Sequence, residues 1–202
     1  MNIIPVKDYK TKKEFLEVVN IIYAEDKNFI RPLDSDIEKV FNENKNPFFA
    51  HGKCTRWILV DEHNKTIGRV AAFINDKKAH NYEVPTGGIG FFECINNQEA
   101  TFLLFDTAKA WLQENGMKAM EGPINFGEND TFWGLLVEGF TPPSYGMNYH
   151  PPYYHQFFTN YGFTTAYEQL TNHINLTIPF PARFTKIANW VAAKPGYTFE
   201  HF

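Results

Sequence analysis

The residue best suited to chemistry is Glu93, in the stretch GFFECI (residues 90–95). If this stretch is a strand, alternation places Glu93 on the same face as Phe91 and Ile95. A carboxylate between large apolar side chains has a raised pKa, which is what a general base requires. The alternative is an ordinary charge on a partly solvated face. We take Glu93 as the first catalytic candidate.

The junction between this strand and the following helix, INNQEA (residues 95–100), is the second candidate. The first N–H groups of a helix are unpaired and often hold a phosphate. Here, however, the glycines precede the strand instead of lying in the junction. Asn96 and Glu99 have the spacing of a helix cap that would occupy these N–H groups. Glu99 would also repel a bound phosphate by about 1 kcal/mol or more. The pattern predicts a junction closed to phosphate.

Two further groups of polar residues lie later in the chain. Asn125 and Asn129, in EGPINFGEND, follow the end of a predicted strand and offer donors and acceptors to an amide-rich ligand. They are equally suited to building tight turns. His150 and His155 flank two prolines and lack a third ligand, so no metal site is predicted, and His150 is the better candidate for a pocket residue.

Periodicity indicates mixed secondary structure. A strand near the N-terminus precedes two helices, the first with a Thr11–Glu14 capping box and the second capped by Asp34 or Ser35. Three antiparallel strands then span residues 57–95, followed by a helix over about 97–115 and another strand. Short helices are predicted near residues 130–137 and over 152–160, then a long strand (165–178), a helix (181–193) and a closing strand (196–202). This order predicts an α+β or α/β layered fold.

Composition excludes several classes of protein. The 202 residues carry a net charge of −4 and no basic run, so nucleic acid is not an expected partner. Two cysteines without a CxxC pair indicate neither a disulfide framework nor a zinc site. No apolar run is long enough to span a membrane, and no signal peptide is evident, so we expect a cytoplasmic protein without a membrane partner.

The order of elements resembles the GNAT acyltransferase superfamily. The block from IGRVAAFI through GFFECI to WLQENGM, and the pattern FFTNYGF (residues 157–163), carry the resemblance. The resemblance implies a mixed, mostly antiparallel twisted sheet with helices on both faces. Several stretches, among them EGPINF and NYHPPYY, are also similar to a bacterial group of two-lobed GNAT-like proteins. The chain is then one GNAT-like domain over residues 1–202, lacking a second C-terminal lobe.

The resemblance also implies roles for residues. Acetyl-CoA or a related acyl-CoA would be the donor, and Glu93 would take a proton from an amine acceptor. Phe158 stands where many GNAT enzymes have an acidic Tyr, so Tyr154 and Tyr161 are the replacement candidates, although Tyr161 could simply pack in the core. The residues that the resemblance assigns to the acyl-CoA are Cys94, Ile95, Asn97, Ala100, Asn125 and Asn129.

The family's phosphate loop is degenerate here, because only Ala100 matches its pattern. Two functions therefore stay open: an N-acyltransferase, or a non-catalytic lobe that binds a small molecule or a partner. The aromatic, Pro-rich loop at residues 139–154 is expected to be covered by the closing strand, a second copy of the chain or a second lobe.

Overall fold

The computed structural model describes residues 1–81 and 83–196, together with Thr198. Residues 1–165 form one compact unit, and the chain from Ala166 onward forms a second, smaller one. The first unit contains a five-stranded sheet whose strands are ordered as they occur in the sequence. The strands are β1 (Asn2–Pro5), β2 (Gly52–Val60), β3 (Thr66–Asn75), β4 (Thr86–Cys94) and β5 (Ala119–Glu121).

Strands β1 to β4 pair antiparallel, whereas β5 pairs parallel to β4 over three residues only. The helices are α1 (Tyr9–Glu17), α2 (Val19–Ile22), α3 (Asp34–Val40), α4 (Asp76–Ala79), α5 (Gln98–Glu114), α6 (Tyr153–Tyr161) and α7 (Ala182–Ala192), with a 3₁₀ helix at Pro47–His51. This confirms the predicted α+β layered architecture, including the three antiparallel strands and the helix that follows them.

The sheet is covered on both faces. One face packs against α5 and α6 through Leu104, Phe105 and Tyr154, all fully buried. The other face packs against α1 and α3 through Phe15 and Ile37. Apolar side chains alternate between the two clusters along β2 and β3, as a doubly covered sheet requires.

Three predictions about helix starts and local structure are wrong. Helix α1 is capped by Asp8, whose carboxylate accepts the Thr11 N–H, instead of beginning at Thr11. Helix α3 begins at Asp34, so neither Asp34 nor Ser35 is its N-cap. The N-cap position is Leu33, whose apolar side chain makes no capping hydrogen bond. Residues 130–137 form bends and irregular backbone instead of a helix, because Phe132 and Gly134 both adopt positive φ, which a right-handed helix does not allow.

The predicted long strand at residues 165–178 is also wrong. These residues have no regular secondary structure, and none of the described strands pairs with them. A strand is stabilised by hydrogen bonds to a neighbour, so alternation alone does not form one. The predicted helix at 181–193 is confirmed as α7. The predicted closing strand falls largely outside the described residues.

The loop at residues 139–154 is covered mainly by the first unit itself. Phe140 and Tyr149 pack with Val19 and Tyr23, and Tyr149 lies against the ring of Phe29. Tyr145 is exposed, although its hydroxyl donates to Asp36. The cover therefore comes from α2 and the segment that follows it, which sequence reasoning did not anticipate.

Candidate active site

The candidate site is built around an irregularity in β4. Arg69 on β3 lies opposite Glu93, and Ala71 lies opposite Gly90, so one residue of β3 faces two of β4. Phe91 accommodates this β-bulge with a φ of 49°. Bulges redirect side chains, and this one places the two charged side chains side by side on the α1 face of the sheet.

Two tyrosines hold the Glu93 carboxylate. The Tyr23 hydroxyl, just after α2, donates to Glu93 Oε2 at 2.8 Å, and the Tyr154 hydroxyl, on α6, donates to the same oxygen at 2.9 Å. The other oxygen, Oε1, lies 3.7 Å from Arg69 Nη2. Both hydrogen bonds therefore fall on one carboxylate oxygen, which leaves Oε1 facing the guanidinium.

Burial dominates the electrostatics of this group. It raises the pKa of Glu93 above its ordinary value, while the Arg69 charge and the two tyrosine hydrogen bonds oppose the rise. Burial and the nearby Glu93 charge raise the pKa of Tyr23 and Tyr154 well above 10. The tyrosines are thus fixed as proton donors in hydrogen bonds, and the carboxylate has a stronger affinity for a proton than a surface glutamate.

Arg69 is held on the same face by three contacts. Its Nη1 donates to the Phe15 carbonyl at 2.7 Å, its guanidinium stacks 4.8 Å from the centre of the Phe15 ring, and it pairs with Glu93. The Nε–H group is buried without a hydrogen-bond partner among the described residues. A buried donor of this kind is typically satisfied by water or by a ligand.

A cavity of about 40 Å³ lies against this cluster, between β4 and the segment after β5. Glu93, Arg69, Pro123, Tyr149 and His150 are among the residues that line it. Its volume suits a few water molecules or the tip of a small polar group. Burial lowers the pKa of His150 to about 3, so its ring is neutral at pH 7. Because Nδ1 accepts the Leu136 N–H, the proton of that neutral ring is on Nε2.

The two tyrosine candidates are in different places. Tyr154 is fully buried and contacts Glu93, and its hydroxyl also accepts the Cys94 N–H at 2.7 Å. Tyr161 packs against Phe105, and its hydroxyl donates to Asp106 of α5 at 2.6 Å. The structure therefore brings Tyr154, but not Tyr161, to the carboxylate.

The end of β4 and the start of α5 hold four of the six residues assigned to the acyl-CoA, namely Cys94, Ile95, Asn97 and Ala100. The Tyr153 hydroxyl donates to the Cys94 carbonyl, so both backbone groups of Cys94 are bonded to α6. Asn97 is the N-cap of α5, and its Oδ1 accepts the Ala100 N–H at 2.9 Å. The predicted cap by Asn96 and Glu99 is wrong by one residue, because the helix begins at Gln98.

Ile95 and the two asparagines lie away from the carboxylate. Ile95 follows the end of β4 and packs toward α5, so the prediction that it shares a face with Glu93 is wrong. Asn125 and Asn129 line a separate cavity of about 260 Å³ beside Gly88 and Phe73. Asn125 Oδ1 is buried and has no hydrogen-bond partner in the described part of the chain.

Sequence reasoning missed Arg69 and Tyr23. Arg69 interrupts the apolar run IGRVAAFI, and a lone charge in a strand buried on both faces must find an opposite charge. That signal was available. Tyr23 lies just after α2 and is separated from Glu93 by 70 residues, so no local pattern pointed to their hydrogen bond.

Two solved structures share this fold. The structure is similar to that of the aminoglycoside antibiotic 6'-N-acetyltransferase AAC(6')-Ih from Acinetobacter baumannii, with a TM-score of 0.50 and 9% identity over 87% of this chain and 98% of that one. The tetramutant of the BH1408 protein from Bacillus halodurans gives a TM-score of 0.52 and 11% identity over 86% and 100%. The chain has the GNAT acetyltransferase fold, as the sequence predicted.

Two relatives are similar in sequence. The chain is 31% identical over 143 residues to protein YghO from Escherichia coli strain K12, and 31% identical over 155 residues to a bacterial ceramide synthase from Caulobacter vibrioides. These alignments cover 70% and 76% of this chain but only 36% and 40% of the relatives, so the chain spans about two-fifths of their length. No family model matches the chain.

Proposed function

We propose that this chain is the acyl-transferring domain of an N-acyltransferase that uses an acyl-CoA donor. The observation that carries the proposal is the Glu93 carboxylate, buried at the bulge of β4, held by two tyrosines and bordering a cavity. A carboxylate whose pKa is raised by burial is suited to accept a proton from an ammonium group. The fold gives independent support, since its neighbours include an N-acetyltransferase.

The proposed reaction proceeds in balanced steps. Glu93 accepts one proton from the acceptor ammonium, and the resulting amine attacks the thioester carbonyl. An N–C bond forms and the C–S bond breaks. The CoA thiolate receives the proton held on Glu93, and the second proton lost by the attacking nitrogen passes through the regenerated Glu93 carboxylate to solvent. Tyr154 is a poor acid for protonating the thiolate, because its raised pKa lies above that of an ordinary thiol. We assign Tyr23 and Tyr154 to positioning the carboxylate.

The name of one relative suggests a class of acceptor to test. That relative is named a bacterial ceramide synthase, and ceramides are N-acylated long-chain amino alcohols. We therefore propose a long-chain amine with a neighbouring hydroxyl as the first acceptor to test, with short and long acyl-CoA donors. The apolar residues beside the carboxylate, Phe91 and Phe132, are compatible with such an acceptor.

The test measures CoA release from acetyl-CoA and a long-chain acyl-CoA in the presence of long-chain amino alcohols. Glu93→Gln removes the base and should lower kcat by about 10²–10⁴-fold. Glu62→Gln, in the exposed β2–β3 turn, is the matched control and should retain full activity. Equal activity of the Glu93→Gln and Glu62→Gln variants would refute the role of Glu93.

One set of observations favours a second function, a non-catalytic binding lobe. The first-turn N–H of Ala100 is already bonded to Asn97, Glu99 lies in the first turn of α5, and both backbone groups of Cys94 are bonded to tyrosines. Thermal denaturation with and without acyl-CoA distinguishes the two functions. A ligand present at about a hundred times its Kd stabilises the folded chain by about 2.7 kcal/mol. No shift at millimolar acyl-CoA, together with no turnover, would favour the binding lobe.

A further inference from the structure

The second unit exposes an unusual amount of apolar surface. We define the basic apolar segment as residues 166–196. Its large hydrophobic side chains are between 47% and 81% exposed, and they are Tyr167, Leu170, Ile174, Leu176, Ile178, Phe180, Phe184, Ile187 and Trp190. The three apolar clusters found among the described residues include none of them. So many exposed apolar side chains in one segment indicate a contact with another phase or another molecule.

Helix α7 organises part of this surface. None of its residues is buried. Phe184, Ile187 and Val191 recur at the spacing of one helical face, with Trp190 at its edge. Arg183 and Lys186 lie on the same helix, beside and opposite this face. An apolar stripe flanked by aromatic and basic residues is typical of a helix that lies in a membrane–water interface.

The charge of the segment is the second observation. The segment contains three basic residues, Arg183, Lys186 and Lys194, and one acidic residue, Glu168, so its formal charge is +2, although the whole chain has a net charge of −4. Lys194 Nζ lies 3.7 Å from the centre of the Trp190 ring. This distribution is independent of the apolar exposure, because an apolar patch needs no particular charge around it.

The occupant that fits both observations is an anionic surface with an apolar interior. A second copy of the chain would bring like charges together across a symmetric contact, which is unfavourable. A lipid bilayer with anionic headgroups accepts the apolar face below the phosphates and pairs the basic side chains with them. We propose that the basic apolar segment docks the chain on an anionic membrane surface.

This proposal does not depend on the proposed reaction. It differs from the sequence-based expectation of no membrane partner, which rested on the lack of a spanning run. None of the helices in the described ranges is long and apolar enough to cross a bilayer. The proposed membrane contact would place the chain where long-chain amphiphilic molecules are held.

Vesicle flotation of the full chain tests the proposal. Phosphatidylcholine vesicles are compared with vesicles that also contain phosphatidylglycerol, at low and high salt. The expected result is binding to the anionic vesicles that weakens with salt. Arg183→Gln with Lys186→Gln, and separately Phe184→Ser with Trp190→Ser, should each weaken binding by about tenfold or more.

The matched control is Leu33→Ser in the first unit, which removes a side chain of comparable exposure and should leave binding unchanged. Urea denaturation of every variant checks that the fold is intact, which is expected because α7 has no buried residue. The proposal is overturned if wild-type chain does not float with anionic vesicles, or if the α7 variants bind as well as wild type. It is also overturned if the wild-type chain binds no vesicles but forms a dimer or binds an acidic protein, and the α7 variants lose that interaction.

Discussion

Replacing Tyr154 with Phe tests the hydrogen bonding around Glu93 most directly. The substitution keeps the ring in the core and removes one hydroxyl, which donates to Glu93 Oε2 at 2.9 Å and accepts the Cys94 N–H at 2.7 Å. A hydrogen bond to a charged group contributes about 1.5–3 kcal/mol, and a buried N–H without a partner costs about 1–3 kcal/mol. Tyr23 still bonds to the carboxylate and offsets part of this loss. We expect Tyr154→Phe to lower the free energy of unfolding by about 3 kcal/mol.

The assay is equilibrium urea denaturation at pH 7, with Tyr161→Phe as the control. Both substitutions remove one hydroxyl from the same helix, but the Tyr161 hydroxyl bonds to the exposed Asp106. We expect Tyr161→Phe to cost about 0.5 kcal/mol or less. If the two variants lose similar amounts of stability, Tyr154 does not hold Glu93 as described, and its assignment as a positioning residue fails.

Three further predictions concern separate parts of the chain. Asn97→Ala should cost about 1 kcal/mol in urea denaturation by removing the cap of α5, whereas Asn96→Ala should cost little. The unfolded chain protonates His150 below pH 6.5 and the folded chain only near pH 3, so the free energy of unfolding should fall over that window as pH drops, by up to about 1.4 kcal/mol per unit. His150→Asn should remove that part of the pH dependence; an unchanged slope would contradict the buried neutral ring. Burial raises the pKa of Cys54 and Cys94 to about 12, so neither thiol should react with Ellman's reagent at pH 8 until the chain is unfolded in guanidinium.

The parts of the fold predicted from sequence are those whose structure is determined by local pattern. The strands β2 to β4 and helix α5 have strong periodicity. The strands and the helix bury their apolar residues against each other in one cluster. The wrong predictions concern segments whose structure depends on a distant hydrogen-bond partner or on an unusual backbone conformation. Residues 165–178 alternate as a strand does, but no described strand pairs with them. Phe132 adopts a positive φ, which is uncommon for a phenylalanine and which its residue type does not predict.

The candidate site shows the same division. Glu93 was chosen as a catalytic candidate because a carboxylate on an apolar strand is conspicuous in the sequence. The residues around Glu93 were not predicted, because Arg69 and Tyr23 reach it only through tertiary structure. The bulge that aligns Arg69 with Glu93 depends on the conformation of Phe91. Asn97 was placed at the junction but not as its cap, because helix starts are uncertain by a residue or two when several polar residues adjoin.

The hydrogen bonds that order Glu93 also bear on the choice between the two functions. Tyr154 joins the carboxylate to the Cys94 N–H, and Tyr153 occupies the Cys94 carbonyl. The amide groups of an acyl-CoA donor bound beside Cys94 would compete with these hydroxyls for the same backbone groups. In an acyltransferase, displacing the Tyr154 hydroxyl would remove a hydrogen bond that stabilises the charged carboxylate, so its pKa would rise further and Glu93 would become a stronger base once the donor is bound. In a binding lobe, nothing displaces the tyrosines, and the carboxylate keeps both hydrogen bonds as a structural element of the core.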